Sequence, residues 1–180
     1  MKITKVTEDA VATLLDDLLK RSPNNYTGYA DKVQAIIDDV RERGDEALFE
    51  MTKRFDGADL NADNIRVTQA EIDEAYTLVD ASLIEVIRKA MTNIRVYHEK
   101  QRQYGWFDTT PDGTILGQKV TPLQSTGVYV PGGKAAYPSS VLMNVIPAKV
   151  AGVEKIVMVT PPGKDGKVNP GTLVAANEAG

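Results

Sequence analysis

Residues 127–140 read Gly-Val-Tyr-Val-Pro-Gly-Gly-Lys-Ala-Ala-Tyr-Pro-Ser-Ser, and they hold the strongest candidate chemistry in the chain. A short apolar run stops at a proline and two glycines, and a helical pattern opens at Ser139 or Ser140. In open α/β sheets, ligands sit beyond the carboxyl ends of strands and beside helix N-termini, whose free N–H groups attract anions. Pro131-Gly132-Gly133-Lys134 falls at such a place, and its glycines let a ligand approach the main chain. Tyr129, one residue from the strand end, offers a ring to a flat ligand and a hydroxyl to a polar one. The structural alternative is that the glycines only turn the chain while Tyr129 packs in the core. Neither G-x-G-x-x-G nor G-x-x-x-x-G-K-[ST] occurs, so no usual nucleotide fingerprint decides between them.

Other chemistry-bearing residues are scarce. His98 is the only histidine and there is no cysteine, which excludes disulfides and thiolate chemistry. A base or metal ligand at His98 lacks a second histidine or cysteine to complete a site. It reads instead as a half-buried histidine bonded to backbone or water. Trp106-Phe107 reads as a hydrophobic lid or core plug rather than a ligand platform. A net charge of −4 gives no electrostatic footprint for nucleic acid or an anionic membrane. No apolar run approaches the roughly 20 residues of a membrane span, and Met1-Lys2-Ile3-Thr4 begins no signal peptide, so a cytoplasmic protein is expected.

The elements that must position these residues change character midway. Thr7 is a candidate N-cap for a helix whose Val11, Leu14, Leu15, Leu18 and Leu19 form one apolar stripe, stopped by Ser22-Pro23-Asn24-Asn25. Val33, Ile36, Ile37 and Val40 mark a second helix, ended by Gly44, and Asp45 caps a third. Ile65-Arg66-Val67 has room only for a short strand. Thr68 and Glu71 form a capping box, and Asp80 or Ser82 starts the longest helix, which Gly105 is expected to close.

Beyond Pro111-Asp112-Gly113 the period shortens. Residues 114–121 read as a strand, expected to pair antiparallel with 127–130. A helix carrying Val141, Leu142, Val145 and Ile146 follows, with Pro147 expected to kink or split it. The continuous run Lys155–Thr160 reads as a strand covered on both faces, and Asn169-Pro170 starts a last helix. The fold class is therefore α/β. Residues 1–105 form a mainly helical region, and 106–180 a β-hairpin plus the βαβα start of a doubly wound sheet, truncated at Gly180. Its uncovered edge and faces are expected to recruit other chains.

Residues 127–162, GVYVPGGKAAYPSSVLMNVIPAKVAGVEKIVMVTPP, resemble the corresponding stretch of histidinol dehydrogenases. VRERGDEALFEMTKRFDG at 40–57 and NIRVYHEKQ at 93–101 are similar to the same family, in the same order. The resemblance implies an NAD-dependent, zinc-requiring homodimer with incomplete Rossmann-like domains related to aldehyde dehydrogenases. It further implies oxidation of L-histidinol to L-histidine in histidine biosynthesis, through the aldehyde, by two hydride transfers to two NAD. Tyr129 matches the family's NAD-contacting tyrosine; Pro131 in the same motif and Phe55 in Arg-Phe-Asp-Gly are lesser candidates, the latter usually a core position. The family's catalytic Glu-His pair and its zinc ligands match nothing in this chain, and His98 corresponds to none of them. The chain is thus expected to be an N-terminal portion of the enzyme, with no catalytic or metal residues of its own. The alternative is a stand-alone nucleotide-binding or regulatory module, or a purely structural assembly domain.

Overall fold

The computed structural model describes residues 5, 7–11, 27–132 and 136–180. They fall into two compact units, Met1–Leu48 and Phe49–Gly180. In the first, the Thr7 hydroxyl accepts from the Ala10 N–H at 3.2 Å, as an N-cap should. Leu14, Leu15, Leu18, Leu19 and the Ser22–Asn25 stop lie outside the described residues. Helix α1, Thr27–Arg43, carries an Asp39–Arg43 ion pair one turn apart at 2.7 Å. Its expected apolar stripe stays largely exposed at Val33, Ile36 and Ile37. Gly44, at φ +62°, ends α1, and α2 follows over Asp45–Phe55.

The second unit holds the main core. The expected strand at 65–67 does not form. Asn61 takes that backbone into a local turn, its side chain accepting from the Asp63 and Asn64 N–H groups at 2.8 and 3.2 Å. Helix α3, Gln69–Leu78, opens with the anticipated capping box: Glu71 N–H donates to the Thr68 hydroxyl, and Thr68 N–H to the Glu71 carboxylate. Helix α4, Ala81–Glu99, starts on Asp80, which accepts from the Ser82 N–H at 2.7 Å. It ends well before Gly105. Its last turn tightens through i to i+3 bonds, Lys100 to Tyr97 and Gln101 to His98, which use up the terminal carbonyls.

Strand β1, Trp106–Thr109, pairs antiparallel with β2, Ile115–Gln118, not β2 with the strand at 127. The reason is local. Gly113 takes φ +87°, and the Asp112 carboxylate accepts from the Thr114 N–H at 3.2 Å, closing a hairpin at once. Trp106 and Phe107 are 57% and 69% exposed in β1, so they plug no core among the described residues.

Strand β3, Ser125–Tyr129, and β4, Lys155–Val159, are joined by helix α5, Pro138–Ala151, and pair parallel with Tyr129 opposite Val159. Tyr137, not Ser139 or Ser140, is the N-cap of α5, because Pro138 takes the first helical position where a missing N–H costs nothing. Pro147 does not split α5, which runs on to Gly152 at φ +90°. Helix α6, Pro170–Ala179, begins on Asn169 as expected. Among the described residues strand β4 is covered on one face only: Ile156 and Met158 pack on the core, whereas Val157 and Val159 are 48% and 57% exposed. The core itself joins Val128 and Val130 to Val141, Leu142, Val145 and Ile146 of α5, Ile84 and Ile87 of α4, and Leu173 and Val174 of α6.

Three helices are also clasped by polar groups. The Glu178 carboxylate of α6, 14% exposed, accepts from Arg88 Nε and Nη2 at 2.9 and 2.8 Å and from the Tyr76 hydroxyl at 2.8 Å. The Arg88 hydrogen bonds hold the Glu178 carboxyl below its ordinary value, while burial pushes the Tyr76 hydroxyl up. A carboxyl depressed on folding stabilises fully above the unfolded carboxylate value of about 4.3 and loses that contribution as pH falls through the folded value. Glu178→Gln should therefore lower the melting temperature by roughly 2–8 °C at pH 7. In melts at pH 3 the gap between variant and parent should narrow; an equal gap at both pH values would contradict the charged clasp.

Candidate functional site

Tyr129 owes its position to strand alternation. Val128 and Val130 point into the core, 6% and 0% exposed, which turns the Tyr129 ring outward at 62% exposed. Val159 stands opposite it in the parallel register and is also exposed. The core alternative for Tyr129 does not hold among the described residues. Pro131 follows the strand end and is exposed as well. The two sequence-predicted cofactor residues thus share the carboxyl end of β3, where open parallel sheets receive ligands.

Gly132 is required for a packing reason beside the one expected. A Cβ built there would lie 2.9 Å from the Pro161 carbonyl oxygen, so the glycine admits the loop after β4. Two strand ends are thereby held against each other beside Tyr129. Gly133 and Lys134 lie outside the described residues. Among the described residues no side chain caps the first turn of α5, and Tyr137 at its N-cap is half exposed, a position that sequence reasoning did not single out. Its signal was the Tyr-Pro pair, with the proline fit for a helix start.

The remaining candidates go elsewhere. His98, half-buried in the last turn of α4, bonds through Nδ1 to the Gln101 side-chain oxygen at 2.7 Å, a partner the sequence did not point to. The Tyr97 ring meets it edge-on, with centroids 5.2 Å apart. It lines a cleft to which Tyr129 does not contribute. Phe55 is not core: it is 60% exposed, with the Arg54 guanidinium 5.2 Å from its ring centroid. Among the described residues no three of His, Cys, Asp and Glu converge as a metal site. These residues therefore do not fit zinc, which takes several convergent nitrogen, sulfur or carboxylate ligands.

The exposed tyrosine on a parallel strand end, ahead of a Pro-Gly turn and a proline-started helix, can be weighed against known proteins. A family profile for histidinol dehydrogenase matches residues 19–180. The chain belongs to the histidinol dehydrogenase family. It is 54% identical over 165 residues to the histidinol dehydrogenase of Heliobacterium mobile, covering 92% of this chain and 39% of that protein. With the histidinol dehydrogenase of Bacillus subtilis (strain 168) the identity is 59% over 163 residues, covering 90% and 38%. The crystal structure of histidinol dehydrogenase from Elizabethkingia anophelis superposes with a TM-score of 0.78 at 37% identity, covering 84% of this chain and 35% of that one. The chain thus spans about two fifths of the length of the curated histidinol dehydrogenases it matches. The fold it shares with the solved structure is mixed α/β, mostly helical with small sheets. Among the described residues no helix is long and apolar enough to cross a membrane.

Proposed function

We propose that this chain is the N-terminal part of an NAD-dependent, zinc-requiring histidinol dehydrogenase. That enzyme oxidises L-histidinol to L-histidine through the aldehyde, in the cytoplasm, with two NAD consumed. The observation that carries the reading is the family match across residues 19–180, which includes the whole Tyr-Val-Pro-Gly-Gly segment. The parallel β3–α5–β4 unit is then the opening of an incomplete Rossmann-like, doubly wound sheet, with 106–180 its domain and 1–105 a helical region serving as scaffold. The family resemblance also supports a homodimer.

NAD, when bound, supplies the hydride acceptor. The work of this chain is to bind and orient. The exposed Tyr129 ring gives a flat face to the dinucleotide, and its hydroxyl a polar contact. Pro131 limits the backbone freedom of the turn that follows, which lowers the ordering cost of binding. Gly132, packed on the Pro161 carbonyl, holds that turn in place. Zinc chemistry and the acid–base steps then fall to other parts of the longer enzyme, since among the described residues no ligand cluster fits zinc.

The reading is tested on the longer polypeptide that contains this chain. Given L-histidinol, NAD and zinc, it should form two NADH per histidinol consumed, with loss on chelation and recovery on adding zinc back. Absence of any histidinol-dependent NADH in a folded, zinc-loaded sample would sink it.

A further inference from the structure

The cleft lined by His98 has a volume of about 550 Å³ and plays no part in the proposed reaction. That size lies within the roughly 300–1,000 Å³ of small-molecule sites. It opens beside Thr126, near the amino end of β3, whereas Tyr129 stands at the carboxyl end of the same strand. One wall is the last turn of α4 and the segment after it, with His98, Gln101, Arg102 and Tyr104. The other is apolar: Leu123 ahead of β3, with Pro147, Ala148 and Val153 around the end of α5.

The polar wall is organised. Gln101 fixes the His98 ring by the 2.7 Å bond to Nδ1. The Arg102 guanidinium lies 5.2 Å from the Tyr104 ring centroid, a stacking that orients its N–H fork without consuming it. Neither His98 nor Arg102 can carry negative charge, and among the described residues no Asp or Glu lines the cleft. The last turns of α4 and α5 supply residues to the same space, and the negative end of a helix dipole by itself favours a cation. Arg102 reverses that preference, because a full charge at hydrogen-bond range outweighs the half-charge of a helix end. The apolar surface left open is large, with Tyr104 70% and Leu123 68% exposed.

We infer that this cleft binds small amphipathic carboxylates, the head group on the Arg102 fork and the carbon chain along Leu123 and Pro147. The inference stands apart from the cofactor reading, since the two sites share no residue.

The test titrates the 180-residue, ¹⁵N-labelled chain with hexanoate, hexanol and hexylammonium, following backbone amide shifts. Hexanoate should give saturable shifts at residues 98–105 and 147–153 that weaken with added salt, and the other two probes should bind far less. Arg102→Gln should weaken hexanoate about tenfold with the melting temperature unchanged, as loss of a charged hydrogen-bonding partner does. Equal binding of hexanol, preferential binding of hexylammonium, or hexanoate affinity unchanged in Arg102→Gln would each overturn the assignment. So would shifts centred on 129–132, or no saturation at all.

Discussion

The 180-residue chain, purified free of host enzyme and given L-histidinol, NAD and zinc, should form no NADH. Removing a hydride from an alcohol also means moving its hydroxyl proton, which needs a base within hydrogen-bond reach and with a suitable pKa. The only histidine, His98, is tied to Gln101 in a cleft apart from Tyr129. A positioned acid or base contributes about 10²–10⁴ in rate, and electrostatic stabilisation of developing charge a similar factor or more. Without both, turnover falls below detection in a spectrophotometer. Steady NADH growth that disappears in His98→Ala would show that this histidine is catalytic after all.

Ile146→Ala should destabilise the second unit by about 2–5 kcal/mol, a large share of the stability of such a unit. Ile146 is fully buried and sits in the middle of the core that links α5 to β3, α4 and α6. Removing three of its carbons leaves a cavity that neighbours on three other elements cannot collapse to fill. Ile146→Val removes one methyl and should cost about 0.5–1.5 kcal/mol. Urea unfolding read at constant slope gives both numbers. A cost below about 1 kcal/mol for the alanine variant would mean that α5 is loosely packed, and with it the spacing of the two parallel strands.

What was legible in the sequence follows the range of the forces involved. Helix starts at Thr68, Asp80 and Asn169 were readable because each cap is a bond between side chain and backbone within three residues. The stop at Gly44 was readable because positive φ suits glycine. Strand partners were not: the antiparallel β1–β2 pairing turns on Asp112 and Gly113 closing a hairpin, a competition that apolar alternation does not reveal. The run at 155–160 looked buried on both faces, yet among the described residues only Ile156 and Met158 of it meet the core, since hydrophobicity does not say which side is covered. At the candidate site, Tyr129 and Pro131 were singled out from the motif, and both stand exposed at the carboxyl end of β3. The role of Gly132 escaped because its neighbour Pro161 is distant in sequence. The expected Trp106-Phe107 plug failed for the same reason, as nothing local says what an aromatic pair will meet.

The most direct measurement compares Tyr129→Ala with Tyr129→Phe in the longer enzyme, taking the apparent KM for NAD and the melting temperature on the same samples. Phenylalanine loses only the hydroxyl, whereas alanine loses the ring that stands exposed at the end of β3. If the ring stacks on the dinucleotide, alanine should raise KM about tenfold or more, the worth of one aromatic–base contact. Phenylalanine should change it far less, and both variants should melt with the parent. The contrary result is a stability loss of roughly 3–5 kcal/mol in Tyr129→Ala, as for a buried aromatic, with KM unmoved in the folded fraction. That outcome would make Tyr129 a packing residue and remove the cofactor from the end of β3.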